Sequence, residues 1–218
     1  MASSHDSTVK VLLERFGQTF AEQAGIHLAD KPSPLYELLV LATLLSARIS
    51  GDVAVAAAKE LFAAGYRTPQ RMQDASWQDR VDALGRGHYR RYDERTSTML
   101  GEAAALLLER WNGDLRKLRD EAGADPQRIR ELLTEFKGIG PVGADIFLRE
   151  VQGVWPQVAP YLDDRVRRGA ERIGLPSDVA RLADLVDSPG ELARLSSALI
   201  RVSRSSRAAD EIKHAAAG

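Results

Sequence analysis

The sequence predicts an all-α protein. Three observations carry this. Alternating β-branched runs are absent, Ala, Leu, Arg and Glu dominate at helical spacing, and a tight Gly138-Ile139-Gly140 turn separates two apolar runs of helical period.

The spacing predicts helices over 6–24, 34–48, 51–63, 68–73, 76–84, 92–111, 114–121, 126–136, 141–152, 163–173, 177–186 and 189–203. Lys31-Pro32-Ser33-Pro34 ends the first. The second holds the longest apolar run, Leu38 to Ala47, which Thr43 interrupts and which is about half the roughly 18 residues needed to span a bilayer, so no membrane-crossing segment is expected. Gly85-Arg86-Gly87 closes the helix over 76–84. Leu132, Leu133 and Phe136 form the apolar face before the glycine turn, and Ala144, Phe147, Leu148 and Val151 the face after it. The stretch from Val154 to Pro160 isolates the helix over 163–173, and Pro176 closes it. Leu192 to Val202 has the pattern of an amphipathic helix.

The Gly138-Ile139-Gly140 turn suits a phosphate. Both glycines permit positive φ, so the turn can approach another backbone closely. Pro141 fits the first turn of the next helix, whose free N–H groups and dipole would face outward toward an anion. A nucleic-acid phosphate is the natural ligand. Taken alone, Gly-x-Gly between apolar runs also closes ordinary helical hairpins.

Composition sets bounds. With 218 residues and 44% hydrophobic content the chain can bury a full core as one large or two small domains. The absence of cysteine excludes disulfides, thiolate catalysis and any cysteine-ligated cluster or zinc site. Met1-Ala2-Ser3-Ser4-His5-Asp6 lacks the basic-then-apolar pattern of a secretory signal, so a cytoplasmic, nucleoid-associated location is expected. The net charge is only −1, but it is unevenly spread. Arg86, Arg90, Arg91 and Arg95 interleave with His88, Tyr89 and Tyr92. Arg165, Arg167, Arg168 and Arg172 form a second basic stretch, and acids gather elsewhere, from Asp120 to Asp125. Such runs serve either a nucleic-acid surface or a solvated helix face.

Four segments, in order, resemble one enzyme superfamily, the helix-hairpin-helix DNA glycosylases, and within it the endonuclease III branch. The first runs from Tyr36 to Arg48 and on through Asp52-Val53-Ala54-Val55, similar to the branch's Leu-Leu-Ser-Ala-Gln and Asp-Val-x-Val. The second is Gly87-His88-Tyr89, similar to a Gly-x-Tyr turn that enters the duplex. The third is Phe136-Lys137-Gly138-Ile139-Gly140 with Ala144, where Phe136 replaces the usual leucine. The fourth counts from Asp163 through Val166, Arg168, Arg172, Ile173 and Gly174 to Leu175. Together they cover roughly residues 30 to 200.

The resemblance implies a two-lobed helical DNA glycosylase fold, with one lobe from 30–130 and the other from 1–29 together with 131–218, holding damaged or mispaired duplex DNA in the groove between them. It implies a monomer without an organic cofactor. DNA contacts would come from Gly138, Ile139, Gly140, Val142 and Gly143 of the hairpin, from Arg48, His88, Tyr89, Arg90 and Arg91, and from Arg165. Carbonyls of Thr134, Phe136 and Ile139 would hold a monovalent cation, Na+ or K+. Arg48 and His88 would fill the hole left by a flipped nucleotide. Tyr89 and Tyr92 would either stack on bases or pack in the core. Trp77, Trp111 and Trp155 are candidates to line a base pocket, with oxidised pyrimidine, uracil and alkylpurine all open as lesions.

The chemistry centres on Asp163. Breaking the bond between base and sugar builds positive charge on the deoxyribose, which a nearby carboxylate stabilises while orienting water. An Asp before a helix is equally an N-cap. Asp164 is the second candidate, since the alkylation-type branch uses the second acid of such a pair. The residue not used would cap the helix or pair with Arg167 or Arg168.

The chain departs from the branch in two ways. The four-cysteine iron–sulfur loop is missing, and Arg201, Arg204 and Arg207 are candidates to replace its share of the DNA surface. Bifunctional members carry a lysine two residues past the second glycine, where this chain has Val142, and Lys137 precedes the hairpin. A monofunctional glycosylase is therefore expected. The alternatives are a non-catalytic helix-hairpin-helix DNA-binding protein and a helical protein-interaction module.

Overall fold

In a computed structural model, which describes residues 4–216, every regular element among the described residues is helical. The helices are α1 (Ser4–Phe16), α2 (Phe20–Gln23), α3 (Pro32–Ser46), α4 (Gly51–Ala63), α5 (Pro69–Asp74), α6 (Trp77–Arg86), α7 (Asp93–Trp111), α8 (Leu115–Glu121), α9 (Pro126–Leu133), α10 (Pro141–Val151), α11 (Asp164–Arg172), α12 (Val179–Ala183), α13 (Pro189–Arg204) and α14 (Ser206–Ala216), with a 3₁₀ turn at Pro156–Val158. None of the described helices is long and apolar enough to cross a membrane.

The chain divides into two compact units, Ala21–Leu148 and, from the two ends of the chain, residues up to Phe20 with those from Arg149 onward. These boundaries differ from 29/30 and 130/131. The segment 131–148 packs with the central residues because the hairpin is tied to α3 and α7. Ser46 Oγ donates to Gly138 O (3.2 Å), and a Cβ added at Gly138 would sit 3.0 Å from Thr43 and Met99 side chains.

In the central unit α3 is buried on all sides from Leu35 to Leu45, which is what its nearly unbroken apolar run requires. Pro32 lies within its first turn, where a missing N–H costs nothing. Against α3 lies α4, whose Ala54, Ala57 and Ala58 form a small-residue face. That face lets the end of α6 come so near that a Cβ at Gly87 would be 2.4 Å from Ala57 Cα. Arg80 of α6 is buried and donates to Met72 O (3.0 Å), Ala75 O (2.7 Å) and Ser97 O (3.0 Å), holding the end of α5 against α7. Side-chain caps at Ser50, Thr68, Ser76, Asp114 and Asp125 start α4, α5, α6, α8 and α9.

The terminal unit is built on α11 against α13. Gly169 permits this, since a Cβ there would stand 2.2 Å from Leu199 O. Val166, Ala170, Leu195 and Leu199 fill the contact, and Leu12 from α1 and Ile212 from α14 complete the core. Helix α14 was not expected from the sequence. Ala208, Ala209 and Ile212 form its buried stripe, and Arg15 pairs with Glu211 at 2.6 Å.

One long helix was expected over 6–24, but the chain opens between α1 and α2. Arg194 Nε donates to Gly17 O (3.1 Å), and Arg201 Nη1 to Phe16 O (3.0 Å) and Gln18 O (2.6 Å), so two arginines of α13 take the carbonyls a continuous helix would use. The expected 177–186 helix shrinks to α12, capped by Asp178.

Candidate DNA-binding hairpin and catalytic carboxylate

The hairpin belongs to the central unit. Gly138 has φ +90°, a left-handed value that glycine adopts without strain, and Ile139 N donates to Phe136 O (3.0 Å) to close the turn. Gly140, expected to share that freedom, is not among the positive-φ glycines. Its carbonyl accepts the Ala144 N–H (3.0 Å) and so starts α10. The N–H groups of Gly140, Val142 and Gly143 have no partner among the described residues, and Gly140, Pro141 and Val142 are exposed. Arg130 pairs with Asp145 (2.6 Å) and braces α9 against α10. Gly143 is buried, so the donors that face outward at the positive end of this eleven-residue helix are those of Gly140 and Val142, a candidate anion seat. Ile139 is 4% exposed, so its side chain is packed inward, while Val142 is 36% exposed and carries no polar group. Of the carbonyls expected to hold a cation, that of Phe136 already accepts the Ile139 N–H.

Beside the hairpin the same unit encloses a cavity of about 600 Å³, whose walls include Thr43, Arg48, Tyr89, Arg95, Met99 and Lys137. Arg48, Arg95 and Lys137 have no carboxylate partner among the described residues, whereas Arg67, Arg86, Arg110, Arg116 and Arg119 are all ion-paired. His88 stands exposed at the tip of its turn with φ +63°. Arg90 and Arg91 are exposed beside it, Arg91 lying 5.2 Å over the Tyr92 ring. Tyr89 is placed differently from a DNA contact. It is 1% exposed, its hydroxyl accepts from Thr96 Oγ1 (3.3 Å), and burial pushes its pKa up, so it packs rather than stacks. Trp111 and Trp155 are likewise buried, while Trp77 is exposed and donates to Thr98 Oγ1 (3.1 Å).

The carboxylate belongs to the terminal unit. Asp163 caps α11, its Oδ1 accepting from Arg165 N (3.0 Å) and Val166 N (3.1 Å). Its Oδ2 accepts from Arg149 Nη1, and the two side chains are only 12% and 7% exposed. Gln152, fully buried, fastens the approach to Asp163. Its Oε1 accepts from Tyr161 N (2.9 Å), and its Nε2 donates to Tyr161 O (3.1 Å) and Arg149 O (2.9 Å). Asp164 differs in every respect, with a side chain 82% exposed and 3.3 Å from Arg167. Arg165 lies half-buried one turn from Arg168.

Sequence reasoning missed Arg149 and Gln152. Both precede Asp163 by at least eleven residues, and only the fold of the intervening loop brings them to it. Arg201, expected as a surface cation, instead caps the end of α1 and lies 4.3 Å over the Phe20 ring.

No protein-family model matches the chain, and no curated protein sequence matches it. Among solved structures it is similar to a non-covalent endonuclease III–DNA complex, with 19% identity, 92% of this chain and 85% of that chain covered, and a TM-score of 0.52. It is also similar to a trapped endonuclease III–DNA covalent intermediate, an estranged-adenine complex, with the same identity and coverage and a TM-score of 0.48. With an all-helical architecture and a glycine hairpin leading into α10, the chain has the fold of endonuclease III, built without a single cysteine.

Proposed function

We propose that the protein is a monofunctional DNA glycosylase of the helix-hairpin-helix superfamily, hydrolysing the N-glycosidic bond of a damaged or mispaired base flipped out of duplex DNA. The observation that carries this reading is Asp163, a carboxylate held in one position by two backbone N–H groups and a buried guanidinium. The similarity in fold to endonuclease III, solved as a DNA complex, supports DNA as the partner. In this reading the free N–H groups opening α10 take a backbone phosphate. As the bond from the sugar carbon to the base nitrogen breaks, the base leaves with the electron pair. The Asp163 carboxylate stabilises the positive charge on the sugar, and water attacks the sugar carbon, its lost proton ending on the nitrogen of the departed base. Val142 supplies no amine, so no Schiff base forms and the abasic strand stays intact.

A non-catalytic DNA clamp is the second reading. It is favoured by the fact that both Asp163 oxygens already have partners. Base release from duplexes bearing uracil, oxidised pyrimidine, alkylated purine or mispairs separates the two. A glycosylase releases one class, leaves abasic sites that break only with alkali, is not captured on DNA by borohydride, and loses release in Asp163→Asn. Binding without release from any substrate selects the clamp.

A further inference from the structure

The terminal unit holds a cavity of about 670 Å³ lined by Arg165, Arg168, Glu171, Arg172, Ser203 and Arg204. Four guanidiniums therefore face one carboxylate. Arg172 is committed, donating to Ser203 O (3.0 Å) and Ser206 Oγ (2.9 Å), which closes the end of α13 and fixes one wall. Arg165, Arg168 and Arg204 have no ion-pair partner among the described residues, although Arg167, on another face of α11, pairs with Asp164. Residues three apart share a helix face, so Arg165 and Arg168 point the same way, and Arg204 comes in from the end of α13.

Like charges gathered this closely oppose one another unless an anion joins them. The Arg204 guanidinium feels this. Withdrawal from water and then the charges of Arg165 and Arg149 hold it below its ordinary pKa.

We propose that Arg168 and Arg204, with Arg165 and Ser203, seat a backbone phosphodiester of the bound duplex. This is a second anchor, on the unit that carries Asp163 and separate from the hairpin's N–H groups, and it rests on the DNA-binding reading above. A tetrahedral phosphate offers acceptor oxygens to several planar guanidinium forks at once, which a single carboxylate cannot do. The cavity has room for a stretch of sugar–phosphate chain rather than a lone ion.

The test is fluorescence-anisotropy titration of a duplex carrying an uncleavable abasic analogue, over a range of salt concentrations. Wild type is compared with Arg168→Gln/Arg204→Gln and with an equal-charge control at two exposed arginines outside the cavity, Arg71→Gln/Arg181→Gln. Each phosphate contact contributes a slope of about 0.9 in log K against log [salt], so the cavity variant, which loses the one seated phosphodiester, should lose about one unit of slope and bind roughly tenfold more weakly at low salt, with the control unchanged. Relief of the like-charge crowding should leave the cavity variant melting at or above wild type, which separates lost contact from lost fold. Arg168→Lys/Arg204→Lys, which keeps the charge, should keep most of the slope. Wild-type binding with an unaltered cavity variant, or with a control that loses as much, overturns the anchor and leaves the DNA-binding reading standing. Absence of any salt-dependent binding by wild type overturns both.

Discussion

Removing the charge of Asp163 while keeping its shape strands the guanidinium of Arg149. The two side chains are 12% and 7% exposed, so both partners of this ion pair are largely withdrawn from water. Asparagine still accepts the Arg165 and Val166 N–H groups, and Asn and Asp cap equally well, so the helix start survives. What is lost is the counter-charge. Breaking one side of a buried pair costs about 3–5 kcal/mol, and here the nearby charge of Arg204 adds its own repulsion. For a chain of this length roughly 2–4 °C follows each kcal/mol, so Asp163→Asn is expected to melt on the order of 10 °C lower. Asp163→Ala also loses the cap and should cost about 1 kcal/mol more. Arg149→Met combined with Asp163→Asn removes the stranded charge and should recover most of the loss, giving a coupling of at least about 2 kcal/mol in the double-mutant cycle. Thermal unfolding followed by circular dichroism on the four proteins measures this directly. Asp163→Asn within about 0.5 kcal/mol of wild type, or a double variant as unstable as the sum of the singles, refutes the pairing. Because the fall in Asp163→Asn stability is predicted, base-release assays on it belong well below its melting temperature.

Three further outcomes are expected. Val142 is exposed at the start of α10, so Val142→Lys should fold unchanged and, where the glycosylase reading holds, become trappable on substrate DNA by borohydride; an active but untrappable variant shows that the position does not reach the sugar. Gly169→Ala forces a methyl group to within 2.2 Å of Leu199 O and should destabilise by about 3 kcal/mol as α11 is pushed from α13, with near-wild-type melting refuting that contact. Burial pushes the Glu37 carboxyl above its ordinary 4.5, against the opposing pull of Arg67. It therefore binds its proton more tightly folded than unfolded, and the stability it adds below the unfolded pKa is lost as pH rises through the folded one. Glu37→Gln should accordingly melt above wild type at about pH 7 and match it at about pH 4, and a difference that does not change with pH refutes the assignment.

Much of the site was legible residue by residue. Gly138 needs its positive φ, Pro141 opens α10, and Asp163 caps α11, because each is decided by backbone chemistry within a turn of the chain. The reading failed where a distant side chain intervened. The helix expected over 6–24 is broken where Arg194 and Arg201 claim the carbonyls of Phe16, Gly17 and Gln18. For Tyr89 the sequence left stacking on bases and packing in the core both open, and the fold takes the second: its ring fills the core and its hydroxyl meets Thr96. Helix α14 was overlooked because its buried stripe, Ala208, Ala209 and Ile212, is too small to stand out from a polar tail.

By itself, then, the sequence determined the helical class, the glycine hairpin, the cap at Asp163, and the absence of both thiolate ligands and an amine at Val142. These rest on local φ/ψ preference, hydrophobic period and the presence or absence of a functional group. Only the tertiary structure decided which charges are neutralised. It buried Arg149 against Asp163, spent Arg172 and Arg201 on helix ends, and left Arg165, Arg168 and Arg204 facing one cavity. A guanidinium reaches partners many residues away in sequence, so its role depends on packing that no local pattern records.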